Sequence, residues 1–162
     1  MGAGKILIII GALLTLVSTF FLSFFVNGSD LGSGLGFVFN IADIMANPGN
    51  YVPGETMIVY IVAIVYIVFL ISGVLQLLGL ASRVIAIIGS IIVLAVSILM
   101  ILTLLNILTA YTPYLTLLIS SPIVPGILPY NLSLGSMGSL GTYTLLAGGV
   151  LGLVGGILGL ED

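Results

Sequence analysis

The chain has 162 residues, of which 60% are hydrophobic and only 4% charged. Soluble domains carry about 25% charged residues, so this composition cannot clothe a water-facing surface and points to a membrane protein. With no Cys, His or Trp, disulfides, thiol chemistry and the usual His/Cys metal sites are excluded; two basic residues rule out direct electrostatic binding of nucleic acid.

Four apolar stretches, 6–26, 57–80, 84–105 and 143–160, are long enough to cross a hydrocarbon core of about 30 Å at about 1.5 Å per residue. The first follows Lys5 as a signal peptide would. Its sequel "FFLSFFVNGSD" offers no small-x-small cleavage site, so it is expected to stay as a helix. Small residues form a stripe along it at Gly4, Gly11, Thr15 and Ser18. The outer loop 27–56 holds Asp30, Asp43 and Glu55, and reads as Gly/Ser turns, a short helix near "FNIADIMAN" and the turn "NPGNYVPGE". Its "GSDLGSGLG" is no phosphate-binding loop, since no strand precedes it and no Lys follows.

The second span carries Gln76 one turn from its inner end, where an amide snorkels or bonds across helices. A minimal turn at 81–83 makes the second and third spans a tight antiparallel pair. The third has its own small stripe, Ala86, Gly89, Ser90 and Ser97, and ends at Asn106, a cap or a headgroup contact. Residues 84–160 carry no formal charge, and the outer loop 106–142 within them contains four prolines that prevent a continuous helix. Left in water, its clusters "LTLLI" and "IVPGIL" would expose several hundred Å², unfavourable at roughly 25 cal/mol per Å². The loop is therefore expected to be ordered, with Leu117, Leu118, Ile119, Ile123, Val124, Ile127 and Leu128 packing on neighbouring copies as well as on their own bundle. The acidic first loop is expected to be the more exposed. Tyr51, Tyr60, Tyr111, Tyr114, Tyr130 and Tyr143 fall near the outer boundary, as an aromatic belt requires, with Tyr66 deeper. Asn27 and Asn131 head glycosylation sequons on the same side.

The last span, "LLAGGVLGLVGGILGLED", places Gly148, Gly149, Gly152, Gly155, Gly156 and Gly159 within one 120° face of a helix. Each costs roughly 1 kcal/mol of helix propensity; the offset is close backbone approach along a small-xxx-small surface. Gly11 and Gly89 are expected to serve the same packing. "KILIIIGALLTLV" (5–17) aligns without gaps on "RVIAIIGSIIVLA" (83–95), and "LLGL" (77–80) matches "ILGL" (157–160). The expected fold is all-α, a four-helix transmembrane-type bundle of two tandem hairpins. Residues 1–80 form the first and 81–162 the second, related by a pseudo-twofold axis along the membrane normal. Lys5 and Arg83 then share one side, which the positive-inside rule makes cytoplasmic together with both termini.

No catalytic, cofactor-binding or metal-ligating constellation occurs, and no acid or base lies inside a span as proton relays and coupled transporters require. That leaves a self-assembling structural subunit, a non-catalytic accessory subunit of a larger membrane complex, or a passive channel, which would need a polar stripe from Ser and Thr alone. The Ile-rich, Cys-free, glycine-faced hairpins resemble the hydrophobic major capsid proteins of spindle-shaped archaeal viruses. The resemblance implies a homopolymer that sits in the host membrane before entering a virion, with lipid and its own copies as partners and no small-molecule substrate or cofactor. The four-span outline also resembles claudin-like tetraspans, whose loop Trp and paired Cys are missing here.

Overall fold

The structure, a computed structural model, describes residues 2–159. Its main elements are α1 (Ala3–Phe21), α2 (Gly34–Ala46), α3 (Thr56–Leu78), α4 (Arg83–Leu104) and α5 (Leu140–Leu158). All but α2 are long and apolar enough to cross a membrane. These four pack as antiparallel neighbours in the cyclic order α1–α3–α4–α5. The result is a four-helix bundle of transmembrane type. The start of α1, the end of α5 and the α3–α4 turn lie at one end, called inner below, and α2 packs at the outer end.

The bundle exposes aliphatic ridges that a water-soluble one would bury. Ile6, Ile10, Leu13 and Val17 of α1, Ile61, Ile64 and Ile71 of α3, Ile88, Ile91 and Ile98 of α4, and Val150, Val154 and Ile157 of α5 are exposed. Thr15, Ser18, Ser72, Gln76, Ser90 and Ser97 are buried. Most buried hydroxyls of the spans close on their own helices: Thr15 donates to Gly11 O (2.9 Å), Ser72 to Phe69 O (2.6 Å) and Ser90 to Ala86 O (2.7 Å). Lipid has no polar partner to offer, so a spanning element must satisfy its polar groups internally and can turn its aliphatic face outward at no cost.

The helix ends differ from the expected boundaries for local reasons. α1 stops at Phe21 instead of running to 26, because Phe25–Asn27 forms a strand, β1. It pairs antiparallel with β2 (Asp30–Gly32) across the two-residue loop Gly28–Ser29, and Gly28 takes φ +64° at the first central position. β3 (Ile119–Ser120) pairs with the other edge of β2. Strands this short leave no alternation to read in the sequence. α2 begins at Gly34, ahead of "FNIADIMAN", since the Ser33 hydroxyl caps it by accepting the Gly36 N–H at 2.9 Å. α4 is closed by Asn106 at φ +58°, with Asn106 N–H on Thr103 O (3.0 Å) and Ile107 N–H on Leu102 O (2.8 Å). That pair of bonds is the Schellman motif, with Asn where Gly is usual. α5 begins at Leu140 rather than 143; the expected end at residue 160 lies outside the described residues.

The second outer loop is two structures in succession. Thr109–Leu118 winds as a 3-10 helix clamped by α2, whose Asn40 Nδ2 donates to Leu117 O (3.1 Å) and Ile119 O (2.7 Å). Leu117 and Leu118 are fully buried, in an outer core with Phe24, Phe37, Tyr66, Phe69, Met100 and Leu145. They have no surface left for a neighbouring copy, contrary to expectation, because α2 supplies within the chain the cover that a second copy would have given. Ile119 and Leu128 are half-buried, whereas Ile123, Val124 and Ile127 are exposed. Both loops expose apolar residues, Val38, Phe39 and Met45 of α2 among them, so the first loop is not clearly the more exposed. α2 buries Phe37 and Ile44, while residues 123–127 and 132–137 of the second loop face outward.

Candidate functional site

The chemistry of this chain is concentrated where helices touch. α5 is wedged between α1 and α4, and its glycines form two rows, one toward each neighbour. A methyl on Gly148 would lie 2.8 Å from Gly11 O, and one on Gly155 would lie 2.7 Å from Gly4 O and 2.9 Å from Ile8 N. On the other row, Gly149 meets the Leu94 side chain at 2.9 Å and Gly156 meets Ile87 Cγ1 at 2.8 Å. These spacings are shorter than a side-chain carbon tolerates: on the α1 row backbone packs on backbone with gains in dispersion and weak Cα–H···O contacts, and on the α4 row the α5 backbone packs on the Leu94 and Ile87 side chains. Ser18 and Thr144, hydrogen-bonded at 2.6 Å, continue the α1–α5 seam outward. Gly159 differs from the other five. It takes φ +89°, nothing stands within 4 Å of its Cβ position, and it ends α5 while its carbonyl abuts Gly4.

Gly152 lies between the rows and faces the bundle axis. A methyl there would lie 2.5 Å from Ser90 Oγ and 2.6 Å from Gln76 Nε2. Gln76 is fully buried; its Nε2 donates to Ser90 Oγ at 3.1 Å and reaches Gly148 O at 3.4 Å, joining α3, α4 and α5. Of the two sequence alternatives for this amide, the interhelical bond is the one formed. Its Oε1 is buried without a partner.

Gly11 and Gly89 have matching surroundings. A methyl on Gly11 would lie 2.6 Å from Gly152 N and 2.7 Å from Gly148 O; on Gly89, 3.0 Å from Gln76 N and 3.1 Å from Ser72 O. Gly155 meets Ile8 N, and Gly79 likewise meets Ala86 N. These contacts pair α1 with α4, and α5 with α3 at an offset of 76 residues (Gln76 with Gly152, Ser72 with Gly148). The sequence match "LLGL" with "ILGL" sets an offset of 80, about one helical turn away. Gln76 thus reaches across the bundle to Gly152, near the bundle axis.

The remaining candidates are scattered. Asn27 is exposed on the β1–β2 hairpin. Asn131 is half-buried, its Oδ1 accepting from Ser23 (2.7 Å) and Ser139 (2.8 Å). The tyrosines tie loops to helices as well as marking the outer end. Tyr60 donates to Met45 O (3.2 Å), Tyr143 to Met137 O (2.7 Å) and Tyr111 inward to the Tyr66 hydroxyl (2.7 Å). Burial pushes the Tyr111 phenol above its ordinary value, against the opposing effect of its bond to Tyr66. Tyr51 donates to Asp43 Oδ2 at 3.0 Å, and burial together with that carboxylate pushes it up to about 12. Among the described residues no group of three or more acids is placed to hold a metal ion. No protein-family model matches this chain, and neither a curated protein nor a solved structure shows significant similarity to it.

Proposed function

We propose that this chain is a structural, self-assembling, membrane-integrated subunit, with a virion shell of the kind its sequence resembles as the specific form. The observation that carries this reading is the direction of its surfaces. Most buried hydroxyls of the spans close on their own helices or, like Ser18 with Thr144, on a neighbouring one, while aliphatic ridges stand outward on all four long helices. Between α3 and α4 they flank a groove lined by Ile64, Val65, Val68, Ile92, Ala95 and Val96. A ridge of a second copy packs into such a groove by the ordinary rules of helix contact. Lys5 and Arg83, both at the inner end, favour the cytoplasmic side for that end. Mass measurement of the protein extracted in mild detergent tests the proposal. A homo-oligomer that Ala95→Trp, filling the groove, reduces to single chains is the expected result. A single copy held at fixed stoichiometry beside larger chains would replace this reading with that of an accessory subunit.

A further inference from the structure

The segment 121–137 is an apolar surface outside the α-helices. Its tip is the turn Val124-Pro125-Gly126-Ile127, with Gly126 at φ +77° and the Ile127 N–H donating to Val124 O at 2.9 Å. Ile127 is 67% exposed, and Ile123, Val124, Leu132, Leu134 and Met137 are exposed around it. An aliphatic tip of this kind has three ways to be covered: water, a second copy, or lipid.

The backbone favours lipid. Residues 122–130 include three prolines, which have no N–H to satisfy. Val124, Ile127 and Leu128 donate within the turn, and Tyr130 donates to Phe21 O at 2.7 Å. Few donors are left for water, while the carbonyls of Ile123, Pro125, Gly126 and Ile127 still need partners, a combination that suits the headgroup boundary and not the hydrocarbon interior. The base of the segment is fixed at both ends. Ser121 donates to Asp30 Oδ1 at 3.0 Å, Ser23 N–H donates to Tyr130 O at 3.0 Å, and Asn131 accepts from Ser23 and Ser139. The Asp30 carboxylate marks a polar level at the base. Tyr130 is stitched to Phe21, the exposed last residue of the aliphatic stripe Ile6-Ile10-Leu13-Val17 of α1, so the tip is continuous with the face that meets lipid.

We infer that residues 122–137 lie in the outer leaflet, with Ile127 inserted at the boundary between headgroups and acyl chains. This rests on α1, α3, α4 and α5 spanning the bilayer, and does not depend on self-assembly. The chain has no tryptophan, so Ile127→Trp supplies a single emitter at the tip. The variant is reconstituted in phosphatidylcholine vesicles with or without bromine near the head end of the acyl chains. Val154→Trp, on the outward face of α5, reports whether the bundle itself is in the bilayer. The expected result is blue-shifted emission from Ile127→Trp and loss of most of it in brominated lipid. Red emission untouched by bromine would put the tip in water and overturn the inference. Blue emission untouched by bromine would overturn it in favour of cover by a second copy. Should Ile127→Trp fail to insert, Leu132→Trp is read by the same criteria. An unquenched Val154→Trp would overturn the spanning arrangement itself, which separates that failure from a failure of the loop.

Discussion

The inner and outer halves of this bundle are filled by opposite means. Toward the inner end the core is mostly Gly4, Gly11, Gly73, Ala86, Gly89, Gly148, Gly152 and Gly155, with Ile8, Ser90 and Gln76 among them, and α1 and α5 touch backbone to backbone. Toward the outer end it is Phe24, Phe37, Tyr66, Phe69, Met100, Leu117 and Leu118, with Phe37 edge-on to Tyr66 at 5.4 Å and Phe24 tilted on Phe69 at 6.1 Å. The difference follows from what closes each end. At the inner end only the four helices are present, and they draw together. At the outer end α2 and the 3-10 segment are accommodated as well, and large side chains fill the wider space. The inner half therefore tolerates no addition; the outer half tolerates no removal of its large side chains, although Gly34, Gly36 and Gly141 there also lie against the backbone of Thr19, Leu118 and Ser23.

The largest effect is expected where that rule is most severe. Gly152→Leu forces a branched side chain into Ser90 and Gln76, and should cost about 3 kcal/mol, the upper end for overpacking. Thermal unfolding in detergent measures it, and a melting point equal to wild type would remove the backbone contact from the picture. Phe69→Ala in the outer half comes next. Since an unfolded spanning helix stays in lipid, the transfer term largely drops out. The cavity term remains, about 2 kcal/mol at roughly 24 cal/mol per Å³. A loss well above that would mean the site is emptied into water. Gln76→Met should cost only about 0.6 kcal/mol, the usual size of an interhelical polar contact in a membrane. Its carbonyl oxygen makes no bond in the structure to lose. A loss of several kcal/mol would reveal a partner for that oxygen.

Val154→Leu, on the exposed face of α5, should fall within about 0.5 kcal/mol of wild type. The smallest effect lies outside the bundle. Tyr51 holds its proton to about 12 when folded, against 10.0 ordinarily. Between those values the unfolded chain ionises first, so the folded state binds more protons and stability falls as pH rises. Its contribution is whole below pH 10 and gone above about 12. Tyr51→Phe should flatten that part of a pH–melting curve, and an unchanged slope would assign it to other tyrosines.

The bundle itself was readable because lipid imposes simple constraints: length, absence of charge, and a stripe of small residues where helices meet. Gly148, Gly149, Gly152, Gly155 and Gly156 share a face by angular arithmetic alone, and the structure buries all five. What could not be read is what depends on pairs remote in sequence. Asn40 reaching Leu117 and Ile119 decides that Leu117 and Leu118 lie inside, and no local pattern announces it. The same holds for β3, two residues long, whose pairing partner lies nearly ninety residues earlier. Gly159 fits the angular pattern yet ends the helix, since positive φ is available to glycine wherever a helix stops. Gln76 was visible as an isolated amide, but its position near the bundle axis was not. The register of α3 against α5 differs by one turn from the best alignment of their sequences.

The two sides of the bundle centre carry different residues. Imagine the bundle made from two identical hairpins, as a homodimer. Whatever stood at the axis would stand there twice: two glutamines would collide, and two glycines would leave an unfilled hole. A single chain carrying both halves escapes this choice, because one copy of the position can hold Gln76 and the other Gly152. Joined in one chain, two hairpins are free to place different residues at the centre of the molecule.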